Sequence, residues 1–169
     1  GSGLKVAISW KSTHGQQRAL VQFTKSTTLG RFAPLAKIPG IQLVDVQYGD
    51  TDQERKDFAE RTGAAVCRID GVDYFKEVDK VLAIIDACDL VITTSNVTAH
   101  FAGALGKPTW LMYPGGGKAP FFYWTPGPEG RSLWYPSVEV VTAPHLTDWT
   151  LLIDHVAEKL LSARRGAHA

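Results

Sequence analysis

The residues whose types and spacing best suit chemistry lie together at Thr93, Thr94, Ser95, Asn96, Val97, Thr98, Ala99 and His100. Residues 93–96 supply turn and N-cap chemistry directly after the apolar run Leu90, Val91, Ile92, so a helix is predicted to start there. First helical turns commonly carry an acid that accepts from the free N–H groups and offsets the dipole, yet Val97, Thr98 and Ala99 include none. Unpaired amides, the hydroxyls of Ser95 and Thr98, and an imidazole one turn in at His100 suit a phosphate or diphosphate, because donors and dipole point the same way. In the plainer reading Ser95 or Asn96 only caps a structural helix and His100 is a packed core residue. The small residues Ala99, Ala102, Gly103 and Ala104 let such a helix lie close to a sheet.

Three further groups could reach the same place. Lys11 and, beyond it, Arg18 follow the apolar run Val6, Ala7, Ile8, at the carboxyl end of a predicted strand, the edge where open parallel sheets bind ligands; the alternative, solvated loop charges, suits Arg18 better than Lys11, which lies next to the strand. Gly115, Gly116 and Gly117 precede Lys118 after another strand, as a lid that closes Lys118 over a ligand or as a plain flexible loop. The pattern is not a Walker A loop, because G-x-x-x-x-G-K-[ST] is absent. Phe121, Phe122, Tyr123, Trp124, Trp134 and Tyr135 crowd the next segment, where they stack a base or sugar, pack an irregular loop or form an interface. Cys67 and Cys88 are isolated and lack metal-ligand spacing, so they read as reduced core residues of a cytoplasmic protein, and no metal or other cofactor is expected.

The elements that must position these groups alternate. Strands are predicted over residues 4–10, 41–48, 65–67, 90–92, 109–113 and 138–141. Between them come a short helix over 31–38 with Pro34 in its first turn, and a helix opened by a Thr51–Glu54 capping box and closed by Gly63, its charges on a wet face. Another helix is capped by Asp73, with Phe75, Val78, Leu82 and Ile85 as its buried stripe. A terminal helix opened by Thr147 buries Trp149, Leu152, Ile153, Val156 and Leu160. This order predicts an α/β fold: one three-layer Rossmann-like domain, an open, mostly parallel sheet with helices on both faces.

A chain of 169 residues suits one such domain. Residues 4–163 are assigned to it, residues 1–3 read as the remnant of a cleaved tag, and 164–169 as a frayed tail. Eighteen basic against seventeen acidic side chains give a net charge of +1, which argues against a nucleic-acid or bilayer binder driven by a basic surface. No apolar run is long enough for a membrane span.

Residues 89–108, with Asn96, Thr98 and His100 in the turn and Ala102-Gly103-Ala104-Leu105-Gly106-Lys107-Pro108 after it, resemble the donor-binding segment of GT-B glycosyltransferases, enzymes with two facing nucleotide-fold halves. The likeness is greatest to the carboxyl-terminal halves of heptosyltransferase-like enzymes (glycosyltransferase family 9) and of tetratricopeptide-repeat proteins carrying an O-linked N-acetylglucosamine transferase-like module. Residues 5–11, Gln47-Tyr48-Gly49-Asp50 and Trp134-Tyr135-Pro136-Ser137 are similar to that group too.

The resemblance implies a nucleotide sugar as ligand, with phosphate or donor-sugar roles for Lys11, Ser95, Asn96, Val97, Thr98 and His100. It also implies an upstream GT-B half or repeat array as partner. Joined to that half the chain is expected to transfer a hexosyl or heptosyl group, and alone to be inactive. The other function considered is a degenerate, non-catalytic GT-B-like module acting as a protein-interaction scaffold. Two departures accompany the likeness. Many relatives carry Asp-Thr where this chain has Ser95-Asn96, and the acid that meets the ribose in the O-linked N-acetylglucosamine transferases falls at Phe101.

Overall fold

A computed structural model of the chain describes residues 3–12, 25–114, 122–143 and 148–166, apart from the side chain of Pro128. Its sheet contains β1 (Leu4–Ser9), β2 (Ile41–Asp45), β3 (Leu90–Thr93), β4 (Thr109–Tyr113) and β5 (Val138–Thr142) in the order β2-β1-β3-β4-β5. Every neighbouring pair is parallel. Parallel strands are covered on both faces, and here they alternate accordingly. Val6, Ile8, Leu90, Ile92 and Met112 enter one core, which is closed by Phe32, Leu35, Phe58 and the terminal helix, while Ala7 and Val91 enter another with Val81, Ile85 and Ala102. Leu111, Tyr113, Val138 and Val140 extend the second face around the wholly buried Trp124.

The helices are α1 (Ala33–Ala36), α2 (Asp52–Thr62), α3 (Val78–Asp86), α4 (Val97–Ala104) and α5 (Trp149–Gly166). Pro34 lies in the first turn of α1, where its missing N–H costs nothing. Gly63 ends α2 at φ 70°, a left-handed conformation that a side chain would strain.

Several sequence expectations are corrected. The capping box is not made: the Thr51 hydroxyl donates to the buried carboxylate of Asp45, and Glu54 accepts from the Trp10 indole and from Lys11. Two of the supposed wet-face charges, Glu54 and Arg55, are thus drawn toward the sheet, because the carboxyl ends of β1 and β2 hold partners for them. The strand expected at 65–67 shrinks to one parallel bridge between Val44 and Cys67, after which Arg68 turns in to Asp45.

Asp73 caps a turn rather than α3, accepting from the amides of Phe75 and Lys76. The buried stripe of α3 is therefore Val81 and Ile85, leaving Phe75 and Val78 64% and 41% exposed. Chain 164–166 continues α5 instead of fraying, and Arg164 and Arg165 sit in its last turn, where cations favour the dipole. Thr147 lies outside the described residues. Asp148 accepts from the amides of Thr150 and Leu151 at the start of α5.

Candidate functional site

In this strand order the chain direction across the sheet reverses between β1 and β3, and ligands of open α/β sheets bind outside the carboxyl ends of strands at such a point. Ser9 and Thr93 are paired in register there, so the residues after them diverge from one spot. Two buried amides fix that divergence. Gln47 Oε1 accepts from the Ser9 hydroxyl and the amides of Trp10 and Lys11, each at 2.9 Å, and its Nε2 donates to the Lys11 carbonyl. Asn96 Oδ1 accepts from the Thr98 amide at 2.9 Å and the Thr93 hydroxyl at 3.2 Å, and its Nδ2 donates to Ser9 Oγ at 2.8 Å. Asn96 is therefore the N-cap of α4, with both ends of its side chain committed to the protein.

A cavity of about 440 Å³ opens against this cap, lined by the polar residues Ser12, Lys25, Ser95, Asn96 and His100 and by Tyr48, Tyr74, Phe75, Val78, Val97, Phe101 and Tyr123. The predicted residues are only partly brought together. Ser95, Asn96, Val97 and His100 line the cavity. Thr98 is buried and its amide is held by Asn96, while the Lys11 ammonium is paired with Glu54 and not among the lining groups. Gly115, Gly116, Gly117 and Lys118 lie outside the described residues, as do Arg18 and Phe121.

Ser95 is the most informative residue. An indole N–H can only donate, so the 3.0 Å bond from Trp124 Nε1 makes Ser95 Oγ an acceptor. Its own hydrogen then needs an acceptor, and none exists among the described residues, although the side chain is 98% buried and lines the cavity. Neither the Ser95 nor the Val97 amide has a hydrogen-bond acceptor among those residues. Three donors at a helix start with no acid in its first turn add up to a local anion preference.

His100 stands one turn further along α4, its ring 4.8 Å from that of Trp124 and its Nδ1 3.3 Å from the Tyr135 hydroxyl. Burial, and secondarily the positive charge of Lys25, lower its pKa, so at neutral pH the imidazole is uncharged. Burial also lowers the pKa of Lys25. Lys25 was not singled out from sequence because no motif marks it. It reaches the cavity because the chain returns to the end of β1, the Thr27 amide donating to the Trp10 carbonyl and Ser26 bridging Ser12.

The aromatic wall is set by Arg68. Its guanidinium bonds Asp45 and the carbonyls of Gln47 and Gly49, and lies 3.9 Å from the centre of the Tyr74 ring. Tyr74 is oriented in turn by the Ile69 amide, which donates to its hydroxyl at 3.1 Å. These aromatic contributions were also missed from sequence, since Phe75 and Val78 follow a helical period that suggests core. Among the described residues no group of His, Cys, Asp or Glu is placed to hold a metal ion, and no helix is long and apolar enough to cross a membrane.

No family model matches the chain. Protein FlbA of Caulobacter vibrioides is 31% identical over 160 residues, which are 95% of this chain and 25% of that protein, so the chain spans a quarter of the curated relative it matches. Among solved structures, E. coli ADP-heptose LPS heptosyltransferase II aligns with 99% of this chain and 48% of its own, at a TM-score of 0.64 and 18% identity. E. coli heptosyltransferase WaaC with ADP aligns with 95% of this chain and 45% of its own, at 0.63 and 15%. The fold of this chain is thus a glycosyltransferase-like Rossmann fold.

Proposed function

We propose that this chain is the nucleotide-sugar-binding half, the carboxyl-terminal one, of a GT-B type glycosyltransferase, seating the donor's phosphates at the start of α4. The observation that carries the proposal is the Ser95 hydroxyl, whose hydrogen has no acceptor among the described residues, beside the Ser95 and Val97 amides, which have none among them either, in two residues that line one cavity. Phosphate oxygens are the acceptors such donors lack, and Lys25 on the same cavity adds a positive charge. The fold supports the reading, since WaaC was solved with ADP and this chain matches somewhat under half of it.

In the reaction proposed, these donors and His100 stabilise the negative charge that develops on the leaving phosphate as the glycosidic bond breaks. Preorganised donors of this kind are worth about 3–4 kcal/mol each in a dry site. The acceptor, and the base that deprotonates it, belong to the opposite half of the parent protein. Calorimetric titration with UDP, GDP and ADP tests the proposal. Saturable binding with Kd between about 1 μM and 1 mM is expected, and silence with all three rejects it.

Phe122, Leu133 and Trp134, exposed at 78%, 66% and 63%, favour a second reading, the non-catalytic scaffold that docks protein through exposed apolar side chains. That reading gains only if the nucleotides do not bind.

A further inference from the structure

Among the aromatic residues that crowd the chain after β4, Trp124 and Tyr135 are committed to side chains of the candidate site. Trp124 is wholly buried, its Nε1–H donating to Ser95 Oγ at 3.0 Å and its ring lying 4.8 Å from the imidazole of His100. Tyr135 meets the same imidazole edge to face, with centroids 5.8 Å apart and its hydroxyl 3.3 Å from Nδ1. Two features hold Tyr135 there. The Ser132 hydroxyl accepts from the amides of Trp134 and Tyr135, and the missing side chain of Gly103 leaves room for the ring against α4.

A serine hydroxyl and an uncharged imidazole can each donate one hydrogen and can also accept, so what either offers a ligand depends on what the protein has already taken. An indole N–H only donates, so Trp124 uses Ser95 as an acceptor and leaves the serine's hydrogen over. The bare nitrogen of an imidazole binds a proton near about pH 6.5, whereas a phenol gives one up near about pH 10, so of the two the phenol is the donor. Tyr135 therefore donates to Nδ1. The single hydrogen of the neutral ring then sits on Nε2, which has no partner among the described residues.

Resting on the proposed function, we infer that Trp124 and Tyr135 are positioning residues of the phosphate seat: each donates into a two-sided group, so that Ser95 and His100 are both left with a hydrogen for the ligand. Phosphate oxygens accept, and an imidazole that turned its bare nitrogen to them would repel them.

NMR of the isotope-labelled chain at neutral pH reads which ring nitrogen of His100 carries the hydrogen, with His100→Phe to assign the signals. Nε2–H is expected in the wild type, and Tyr135→Phe should populate both tautomers. Trp124 does not line the cavity, yet its indole N–H resonance should move when pyrophosphate is added, a readout that needs no substitution. Binding of pyrophosphate, UDP, GDP and ADP is followed by calorimetry in Ser95→Ala, Trp124→Phe, the double variant and Tyr135→Phe. Ser95→Ala should weaken each probe about tenfold and Trp124→Phe about threefold, whereas Trp124→Phe should add nothing once Ser95 is alanine, since it acts through that hydroxyl. Tyr135→Phe should weaken them about threefold with the unfolding midpoint unchanged. A wild-type Nδ1–H tautomer, an indole resonance indifferent to bound pyrophosphate, a Tyr135→Phe variant that binds normally, or a Trp124→Phe loss that persists in the Ser95→Ala background overturns the positioning role. Silence of the wild type with every probe instead overturns the function on which it rests.

Discussion

Val97 occupies the first position of α4, is 44% exposed, and borders the cavity. An acid there would meet the positive end of the helix dipole, so Val97→Asp is expected to stabilise the fold by about 0.3–1 kcal/mol, a rise of about 1–3 °C in unfolding midpoint. The same carboxylate would occupy the anion seat and repel phosphate, weakening nucleotide binding at least about tenfold. Calorimetry and thermal unfolding on one variant thus move in opposite directions, an outcome that general damage to the fold does not produce.

His100 gives a second residue-scale prediction. Its folded pKa lies below the ordinary 6.5, mainly through burial, so the unfolded chain binds the proton more readily. Its contribution to stability is complete above about pH 6.5 and is lost as pH falls through the lower folded value. Unfolding midpoints measured from pH 8 to pH 5 should fall on the acid side, and His100→Phe should flatten that fall.

At the scale of elements, what holds the site is the joint between β1, β2, β3 and α4. Asp45, at the end of β2, is wholly buried and accepts from Arg68, Thr51 and the Gln47 amide. Removing one member of a buried ion pair leaves the other charge uncompensated, so Asp45→Ala should cost about 3–5 kcal/mol in denaturant unfolding.

On α4 the constraint is steric. A Cβ on Gly103 would stand 2.5 Å from Cγ and 2.9 Å from Cβ of Tyr135, atoms too near the backbone to swing aside. Gly103→Ala gains about 1 kcal/mol of helix propensity but incurs about 1–3 kcal/mol of overpacking. The variant should be no more stable than wild type, and the Tyr135–His100 contact should be lost, visible as a shift of the His100 ring resonances. Gly103 therefore does more than permit close approach to the sheet: it makes room for the aromatic group that flanks His100.

Across the whole molecule, burial separates the two free cysteines. Cys88 is buried and its thiol is pushed up to about 11, chiefly by desolvation, whereas Cys67 is half-buried at the sheet edge. Because the thiolate is the reactive form, an alkylating reagent at pH 8 should label Cys67 first and reach Cys88 only after unfolding, as mass spectrometry of the digested chain would show.

Features that depend on neighbours a few residues apart were legible in the amino-acid order alone. Short apolar runs marked β1, β3, β4 and β5, the period of three and four marked α5, and the acid-free helix start after residues 93–96 was legible because capping and dipole are properties of one turn. The same local rules misled wherever a distant partner offered more. Thr51 and Glu54 abandoned their capping box for Asp45, Trp10 and Lys11, and Phe75 and Val78 left a helical stripe for the wall of a cavity. Long-range packing brings Trp124 to donate to Ser95 across 29 positions, commits Asn96 to Ser9 across 87, and returns the chain at Lys25's neighbours Ser26 and Thr27 to the end of β1. Those contacts follow from strand order, and strand order is fixed by the burial of both sheet faces at once, a condition that no short window of residues contains.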